Sequence, residues 1–262
     1  MKKDLGYKIA IGTLALIIIL QWVFIITRPK KVTPKIPAAV SGTIAIVIDD
    51  WGYTLNNVHI LEQVNYPLTC SVLPNLRYSQ KVASELHARG YQIILHLPME
   101  PHEKYRLENN TILTTMDEET IGNIIEQDLA SIVYAKGVSN HMGSRATEDK
   151  RTMEIIFKTL KKKHLYFLDS FVSSKSVCSE LARKLGLGFA RRDVFLDNKE
   201  ESGYIRQQVY KLKLKAKIYG QAIGIGHDRK ITLEVLKEAI PALEKEGYRF
   251  VFVSDLIKQG RF

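Results

Sequence analysis

Short apolar runs alternate with longer amphipathic segments along most of this chain, and no other feature limits its fold as strongly. The amphipathic segment 118–135 has isoleucine, leucine and valine at i, i+3, i+4 spacing, the pattern of a surface helix. Such alternation predicts a parallel sheet covered by helices. The clearest apolar runs occupy residues 43–48, 68–73, 92–97, 165–168, 221–225 and 249–253, with weaker ones at 137–140 and 188–192.

The alternating part of the chain reads as one domain. Residues 43–262 contain neither an internal linker nor a sequence repeat, and their length suits a single α/β domain. We therefore expect a distorted (β/α)7–8 barrel with parallel strands and outer helices. An open, doubly wound sheet is the competing fold.

The N-terminal part has a different character. Residues 9–27 carry no charge, and basic residues stand on both sides of them. A membrane-spanning helix needs about 20 apolar residues, whereas a cleavable signal has a shorter apolar stretch close to a small-residue cleavage site. Because the small residues at 37–40 lie well past the apolar run, residues 1–27 are predicted to form an uncleaved anchor, a single transmembrane helix.

Residues 28–42 contain three prolines and no apolar periodicity, so they are predicted to be a linker between this anchor and the domain at 43–262. Lysine and arginine counts are similar on the two sides of the apolar run, so the positive-inside rule does not set its orientation.

Net charge and cysteine usage narrow the classes of partner. The chain carries a net charge of +10, which makes an anionic partner worth testing. However, no basic run is interleaved with aromatic residues, and we therefore expect no nucleic-acid binding. Cys70 and Cys178 match no metal or redox spacing and are interpreted as buried apolar residues.

Ionisable residues collect where the predicted strands end. Functional sites of parallel α/β folds form at the carboxyl ends of the strands, so these side chains are expected to lie close together. Adjacent carboxylates with two or three imidazoles form a mixed oxygen and nitrogen set that suits Zn²⁺ or another divalent transition metal. The residues concerned are Asp49, Asp50, His96, Glu100, His141, Asp169, Arg192 and His227.

The neighbouring carboxylates Asp49 and Asp50 suggest a division of roles. Side chains alternate across a strand, but the chain turns at a strand end, where both carboxylates can reach one pocket. A metal would stabilise the ionised form of the carboxylate that ligates it. The second carboxylate would then be free to accept a proton, with a pKa set by the cation and by its partner's charge.

Five motifs, in order, resemble those of the divergent polysaccharide deacetylases, a distant branch of the metal-dependent carbohydrate deacetylases. They are IAIVIDDWGY, ILHLPMEP, GVSNHMGSRAT, LYFLDSFVSSKS and GIGH. The resemblance extends from about Thr43 to the C-terminus. It implies a distorted (β/α) barrel of seven or eight strands.

The resemblance also implies roles for individual residues. By position, Asp49 would be the general base, Asp50 a metal ligand and His227 the general acid. The family's second motif has two histidines four residues apart, and this chain keeps His96 but has Glu100 in the second place.

The family's third motif is absent, and His141 stands at the corresponding strand end. We prefer Asp50, His96 and His141 as metal ligands, with Glu100 orienting the His96 ring; Glu100 as third ligand is the alternative. Asp169 and Arg192 are assigned supporting roles, with Asp169 expected to orient either His227 or Arg192.

The function that this resemblance implies is hydrolytic removal of N- or O-acetyl groups from envelope carbohydrate, with one divalent metal, Zn²⁺, as cofactor. The domain would lie on the extracytoplasmic side of the membrane that holds its anchor. A barrel that has lost catalysis and binds glycan or a partner protein is the main alternative, because the metal set is altered. A two-metal phosphoesterase is a third candidate, weakened by the single carboxylate pair.

Overall fold

The computed structural model describes residues 40–258 together with Gln21. The predicted transmembrane helix within 1–27 and most of the predicted linker at 28–42 lie outside the described residues. Across the part of the chain that is described, no helix is both long enough and apolar enough to cross a membrane.

Nine parallel strands form one sheet in the described residues. Each of the eight apolar runs picked out in the sequence contributes a strand, which confirms those predictions. One further strand, β7, is only two residues long and has too few positions to show a period of two. The strands are β1 (Gly42–Trp51), β2 (Thr69–Val72), β3 (Gln92–Met99), β4 (Gly137–Met142), β5 (Tyr166–Asp169), β6 (Phe189–Arg191), β7 (Val194–Phe195), β8 (Gln221–His227) and β9 (Tyr248–Val251).

Eight α-helices connect or follow these strands within the described residues, and a single 3₁₀ turn lies at Ala146–Glu148. The helices that begin at Glu118 and Lys150 are capped by Asp117 and Asp149, whose side chains accept hydrogen bonds from the backbone N–H three residues later. The helices are α1 (Val58–Leu61), α2 (Ser79–Ala88), α3 (Glu118–Ser131), α4 (Lys150–Lys162), α5 (Cys178–Leu185), α6 (Ser202–Tyr219), α7 (Lys230–Lys245) and α8 (Val253–Lys258).

The sheet is a half-barrel. Its strands follow the order β6-β5-β4-β3-β2-β1-β8-β7, with β9 paired to the first half of β1. Strands β6 and β7 stand at the two ends of this order and are not hydrogen-bonded to each other. The expected parallel α/β fold is therefore confirmed, while the barrel remains open between β6 and β7.

Strand β1 lies at the centre of the sheet and is buried on both faces. Ile44, Ile46 and Ile48 pack in the larger core, which also contains the buried faces of helices α1 to α7. The alternate residues Ala45 and Val47 pack in a second, smaller core on the opposite face. Because side chains alternate along a strand, the next residue of this second set is Asp49. The apolar pattern of β1 thus carries one carboxylate directly into the interior of the half-barrel.

Helix α8 fills the interior of the half-barrel at the end opposite to Asp49. Val253 and Leu256 contact the smaller core together with residues of β1, β3, β5, β6 and β8. Leu256 is only 2% exposed. The interior of the half-barrel is therefore closed by the apolar packing of α8 at one end and is polar at the other, where the carboxyl ends of the strands lie.

We expect Leu256→Ala to lower the free energy of unfolding by about 2–5 kcal/mol, because it opens a cavity in this small core. Leu107 is 37% exposed, and the matched substitution Leu107→Ala should change the free energy of unfolding by no more than about 0.5 kcal/mol. Denaturant unfolding of both variants checks the difference. Equal effects would contradict the role given to α8.

Candidate metal centre

A β-bulge at the end of β1 places two adjacent carboxylates on one side of the strand. Ile48 pairs with Cys70 and Trp51 with Val72, so β1 advances three residues where β2 advances two. Within the bulge, Asp50 has a φ of 67°, in the left-handed region that aspartate tolerates better than most residues. Bulges commonly redirect a side chain beside a functional site, and this one breaks the alternation that would otherwise separate Asp49 from Asp50.

Two histidines from neighbouring strands meet the second of these carboxylates. Asp50 Oδ1 lies 3.2 Å from His96 Nε2 and 3.2 Å from His141 Nδ1. The two strands are in register, with His141 paired to Pro98, two residues beyond His96. One ligand atom from each of the three residues lies within 4.8 Å of the others, and the structure thus brings together the set preferred from the sequence.

This cluster suits a divalent cation. Asp50 Oδ1 is buried and makes no hydrogen bond, although two imidazole nitrogens lie near it. A tetrahedral zinc with bonds of about 2.0–2.2 Å keeps neighbouring ligand atoms about 3.3 Å apart, close to the distances found here. Two imidazoles and one carboxylate are also the donor types that zinc sites use. The residues present therefore fit one metal ion.

The two carboxylates have opposite pKa shifts. Burial raises the pKa of Asp50, but its close contacts with the imidazoles of His141 and His96 outweigh burial and hold that pKa well below its usual range. For Asp49, burial dominates and raises the pKa, although His96 and His227 oppose the shift. The structure therefore separates an ionised ligand from a neighbour that takes up a proton more readily.

The His96 ring is oriented by a serine. His96 Nδ1 lies 2.8 Å from Ser139 Oγ, which lies 2.6 Å from Ser71 Oγ. Ser139 pairs with His96 in the register of β3 and β4, so the two side chains share a face. Such a contact sets the tautomer and leaves Nε2 for the metal.

The prediction that Glu100 orients His96 is wrong. Strand β3 ends at Met99, and Glu100 begins the loop that follows. Its carboxylate accepts hydrogen bonds from the backbone N–H and hydroxyl of Thr114 and lies 3.3 Å from Arg145 Nη1. The cluster of possible metal ligands does not include it. Glu100 therefore orders the loop beside the site.

His227 ends β8 on the other side of the carboxylate pair, where it is paired with Asp49 in the register of the sheet. Its Nδ1 lies 2.8 Å from Asp197 Oδ1, and its backbone N–H donates to Asp197 Oδ2. Thr232 donates to the same oxygen, and Asp197 is fully buried. Burial lowers the pKa of His227, but Asp197 and the two site carboxylates outweigh it and raise the pKa to about 9.

Asp197 was missed by the sequence reasoning. It follows β7, which is too short to be recognised as a strand, so its position at a strand end could not be seen. The only available signal was a carboxylate directly after the apolar residues 194–196.

The remaining predicted residues support the rim of the site. Asp169 accepts hydrogen bonds from Phe171 N–H and Ser176 Oγ and thereby orders the loop after β5. Arg192 donates to the carbonyls of Ser170 and Phe171 in that loop. The prediction that Asp169 orients His227 is wrong, because Asp197 does so. Asp169 is connected to Arg192 through the loop after β5.

Arg192 reaches His227 indirectly. Its guanidinium lies 3.7 Å from the centre of the Phe195 ring, which stacks on the His227 ring at 6.0 Å. The arginine therefore packs the wall beside the imidazole.

The fold and these side chains define a class: a parallel α/β half-barrel with a candidate metal centre at the carboxyl ends of its strands. The chain belongs to the divergent polysaccharide deacetylase family, whose model matches residues 46–257. The family resemblance seen in the five motifs is thereby confirmed.

Two uncharacterized proteins are similar to this chain. The uncharacterized protein YibQ of Escherichia coli is 33% identical over 200 residues, which cover 76% of this chain and 63% of that relative. Protein ATU2773 of Agrobacterium tumefaciens has a crystal structure with a TM-score of 0.79 at 22% identity, covering 84% of this chain and 90% of that one.

A more distant structural likeness is to the catalytic domain of peptidoglycan N-acetylglucosamine deacetylase from Eubacterium rectale. The TM-score is 0.51 at 16% identity, with 81% of this chain and 88% of that domain covered. At such identities the two solved structures show a shared fold and nothing about shared chemistry.

We expect purified chain to bind one zinc ion and Asp50→Asn or His141→Ala to abolish that binding, because each removes a ligand. Ser139→Ala should weaken zinc affinity about 10–100-fold by releasing the His96 ring. Competition titration and elemental analysis check both. Glu100→Gln is the control and should bind zinc normally; loss of zinc in this variant alone would make Glu100 the third ligand.

We expect Asp197→Asn to lower the pKa of His227 from about 9 towards the ordinary histidine value of about 6.5 in metal-free protein. The cause is loss of the carboxylate that stabilises the imidazolium. Because the folded-state pKa is the higher one, this stabilisation is complete below about pH 6.5 and is lost as the pH rises through about 9.

NMR titration of the His227 ring measures this pKa. Asp169→Asn is the matched control, since the Asp169 carboxylate accepts hydrogen bonds from Phe171 and Ser176 of its own loop, and should leave the His227 titration unchanged. A larger shift in the Asp169 variant would contradict the assignment of Asp197.

Proposed function

We propose that this protein is a zinc-dependent hydrolase that removes N- or O-acetyl groups from envelope carbohydrate. The observation that carries the proposal is the convergence of Asp50, His96 and His141 between a buried carboxylate, Asp49, and an imidazole, His227. Family membership supports carbohydrate as the substrate class. Hydrolysis of an acetyl group needs a proton acceptor and a proton donor on opposite sides of the carbonyl, and this arrangement supplies both.

Asp49 is placed to accept the proton of the attacking water. Its carboxylate is 2% exposed, and Oδ2 lies 3.7 Å from His96 Nε2, beside the metal ligands. Its raised pKa makes it a better base than a solvated aspartate. A divalent cation held by the three ligands would polarise the acetyl carbonyl and acidify water.

His227 is placed to donate a proton to the departing amine or alcohol. With a pKa of about 9 it carries a proton at neutral pH. Asp197 binds Nδ1, so Nε2 is the nitrogen left to face the substrate. The Phe195 ring and Thr232 hold this pair in place, the latter through Asp197. The proton acceptor, Asp49, and the proton donor, His227, are thus separate groups in different environments.

A cavity lined by Tyr53, three residues after Asp50, offers room for a sugar. It has a volume of about 510 Å³ and is lined by Tyr53, Leu76 and residues 106–109. Tyr53 is 48% exposed and donates a hydrogen bond to Glu108, which holds its ring at the rim. An exposed aromatic face beside polar groups suits a pyranose ring. This supports glycan binding by the loops after β1 and β3.

The proposed location is the extracytoplasmic side of a membrane, with residues 9–27 as a single-pass anchor. The uncharged length of that run and the proline-containing segment that follows support an anchored domain. An envelope polysaccharide would then be within reach, and nucleic acid is not among the proposed partners.

We expect Asp49→Asn and His227→Gln each to lower the rate of acetate release from acetylated glycan oligomers about 10²–10⁴-fold, because each removes a proton-transfer group. Both variants should keep one zinc per chain, which separates catalysis from metal binding. Glu85→Gln is the activity control; Glu85 lies on α2, is half-buried and forms an ion pair with Lys81 of the same helix.

Acetate release by the wild type from N-acetylated and O-acetylated oligomers tests the proposal itself. Zinc binding without hydrolysis of any of these substrates would refute it. Retained affinity for the oligomers would then favour the alternative, a barrel that binds glycan without cleaving it.

A further inference from the structure

Helix α6 carries an apolar stripe on the side that faces away from the core. Tyr210, Leu214 and Ile218 follow one another at i, i+4, i+8 and are 57%, 38% and 71% exposed. The opposite side of the helix is buried and includes Ile205 and Leu212. A surface helix normally shows solvent a polar outer face, so this helix has two apolar sides. The outer one is not used by the fold.

Basic residues flank this stripe on both sides. At 100° per residue, Arg206, Lys213 and Lys217 lie along one border, and Lys211 and Lys215 lie along the other. The helix contains no aspartate or glutamate. An apolar strip bordered by lysines on a helix without acidic residues is the pattern of a helix that lies in a lipid–water interface.

Two of these cations are uncompensated. Arg206, Lys213 and Lys215 have carboxylate partners on neighbouring elements. Lys211 and Lys217 have none within ion-pair distance among the described residues, and they border opposite sides of the stripe. Their positions favour an anionic surface broad enough to touch both borders at once.

The start of the domain lies beside the last turn of this helix. Thr43 N–H donates to Gly220 O, and a Cβ at Gly42 would lie 2.6 Å from Ala216 O. The chain before Val40 therefore joins the domain at the C-terminal end of α6, on the buried side of its last turn. That preceding chain is 39 residues long and contains the uncharged run 9–27.

We propose that the outer face of α6 binds the surface of an anionic lipid bilayer, with Tyr210, Leu214 and Ile218 at the interface and Lys211 and Lys217 facing lipid phosphates. A second copy of the chain is a poorer occupant, since it would bring two uncompensated basic faces together. The proposal concerns a surface that the metal centre does not use, and it stands or falls independently of the hydrolytic function.

The test uses full-length chain reconstituted in vesicles of phosphatidylcholine with or without phosphatidylglycerol. A fluorophore attached at Ile218→Cys reports quenching by brominated lipid, and the native Cys70 and Cys178 are buried. Val133→Cys is the matched control, because Val133 is also apolar and 71% exposed but lies after α3. We expect the label at 218 to be quenched several-fold more strongly in anionic than in neutral vesicles, and the label at 133 to respond equally to both.

Charge reversal provides the second arm. Each lysine at an anionic surface contributes about a fivefold change in binding, so Lys211→Glu with Lys217→Glu should reduce the quenching at 218 to the level at 133. The circular-dichroism spectrum and the denaturant unfolding midpoint, which should stay at the wild-type values, show that this variant is folded.

Three results would overturn the proposal. They are equal quenching at 218 and 133 in anionic vesicles, quenching at 218 that survives the double charge reversal, and shielding of 218 from an aqueous quencher that needs high protein concentration and no lipid. The last of these would assign the face to contact between copies of the chain.

Discussion

The Asp50 carboxylate, turned inward by a bulge in the central strand, is the feature on which the candidate site depends. A regular strand would direct Asp49 and Asp50 to opposite faces, and the second carboxylate would enter the apolar layer under the helices. The bulge instead holds Asp50 in the left-handed region. A non-glycine residue in that region costs about 1–2 kcal/mol, which the burial of β1 on both faces can offset.

The charges of the site are balanced by position. Asp50 lies between two imidazoles, whereas Asp49 lies deeper, and burial is the largest influence on the pKa of its carboxylate. Two buried carboxylates next to each other would be unfavourable without a compensating cation. The convergence of two imidazoles on Asp50, and of the cationic His227 on the other side of the pair, offsets this repulsion and gives the two carboxylates different environments.

The family pattern has been altered here without loss of a three-ligand cluster. Where related motifs have a second histidine, this chain has Glu100, which is used in the adjoining loop. His141 on the neighbouring strand brings a second imidazole nitrogen into the cluster, because β3 and β4 are parallel and in register. A parallel sheet permits such an exchange, since the carboxyl ends of adjacent strands open onto the same pocket. The altered motif therefore does not by itself imply a lost metal site.

The order of strands and helices, the central apolar strand and the residues at the strand ends could be predicted from the sequence, because hydrophobic periodicity and chain order express them directly. Which residues orient the strand-end side chains became visible in the folded structure. Ser139 meets His96 through strand register, and Asp197 meets His227 across 30 positions of chain. Such contacts depend on a bulge, a two-residue strand and a pairing offset, none of which produces a hydrophobic periodicity in the sequence.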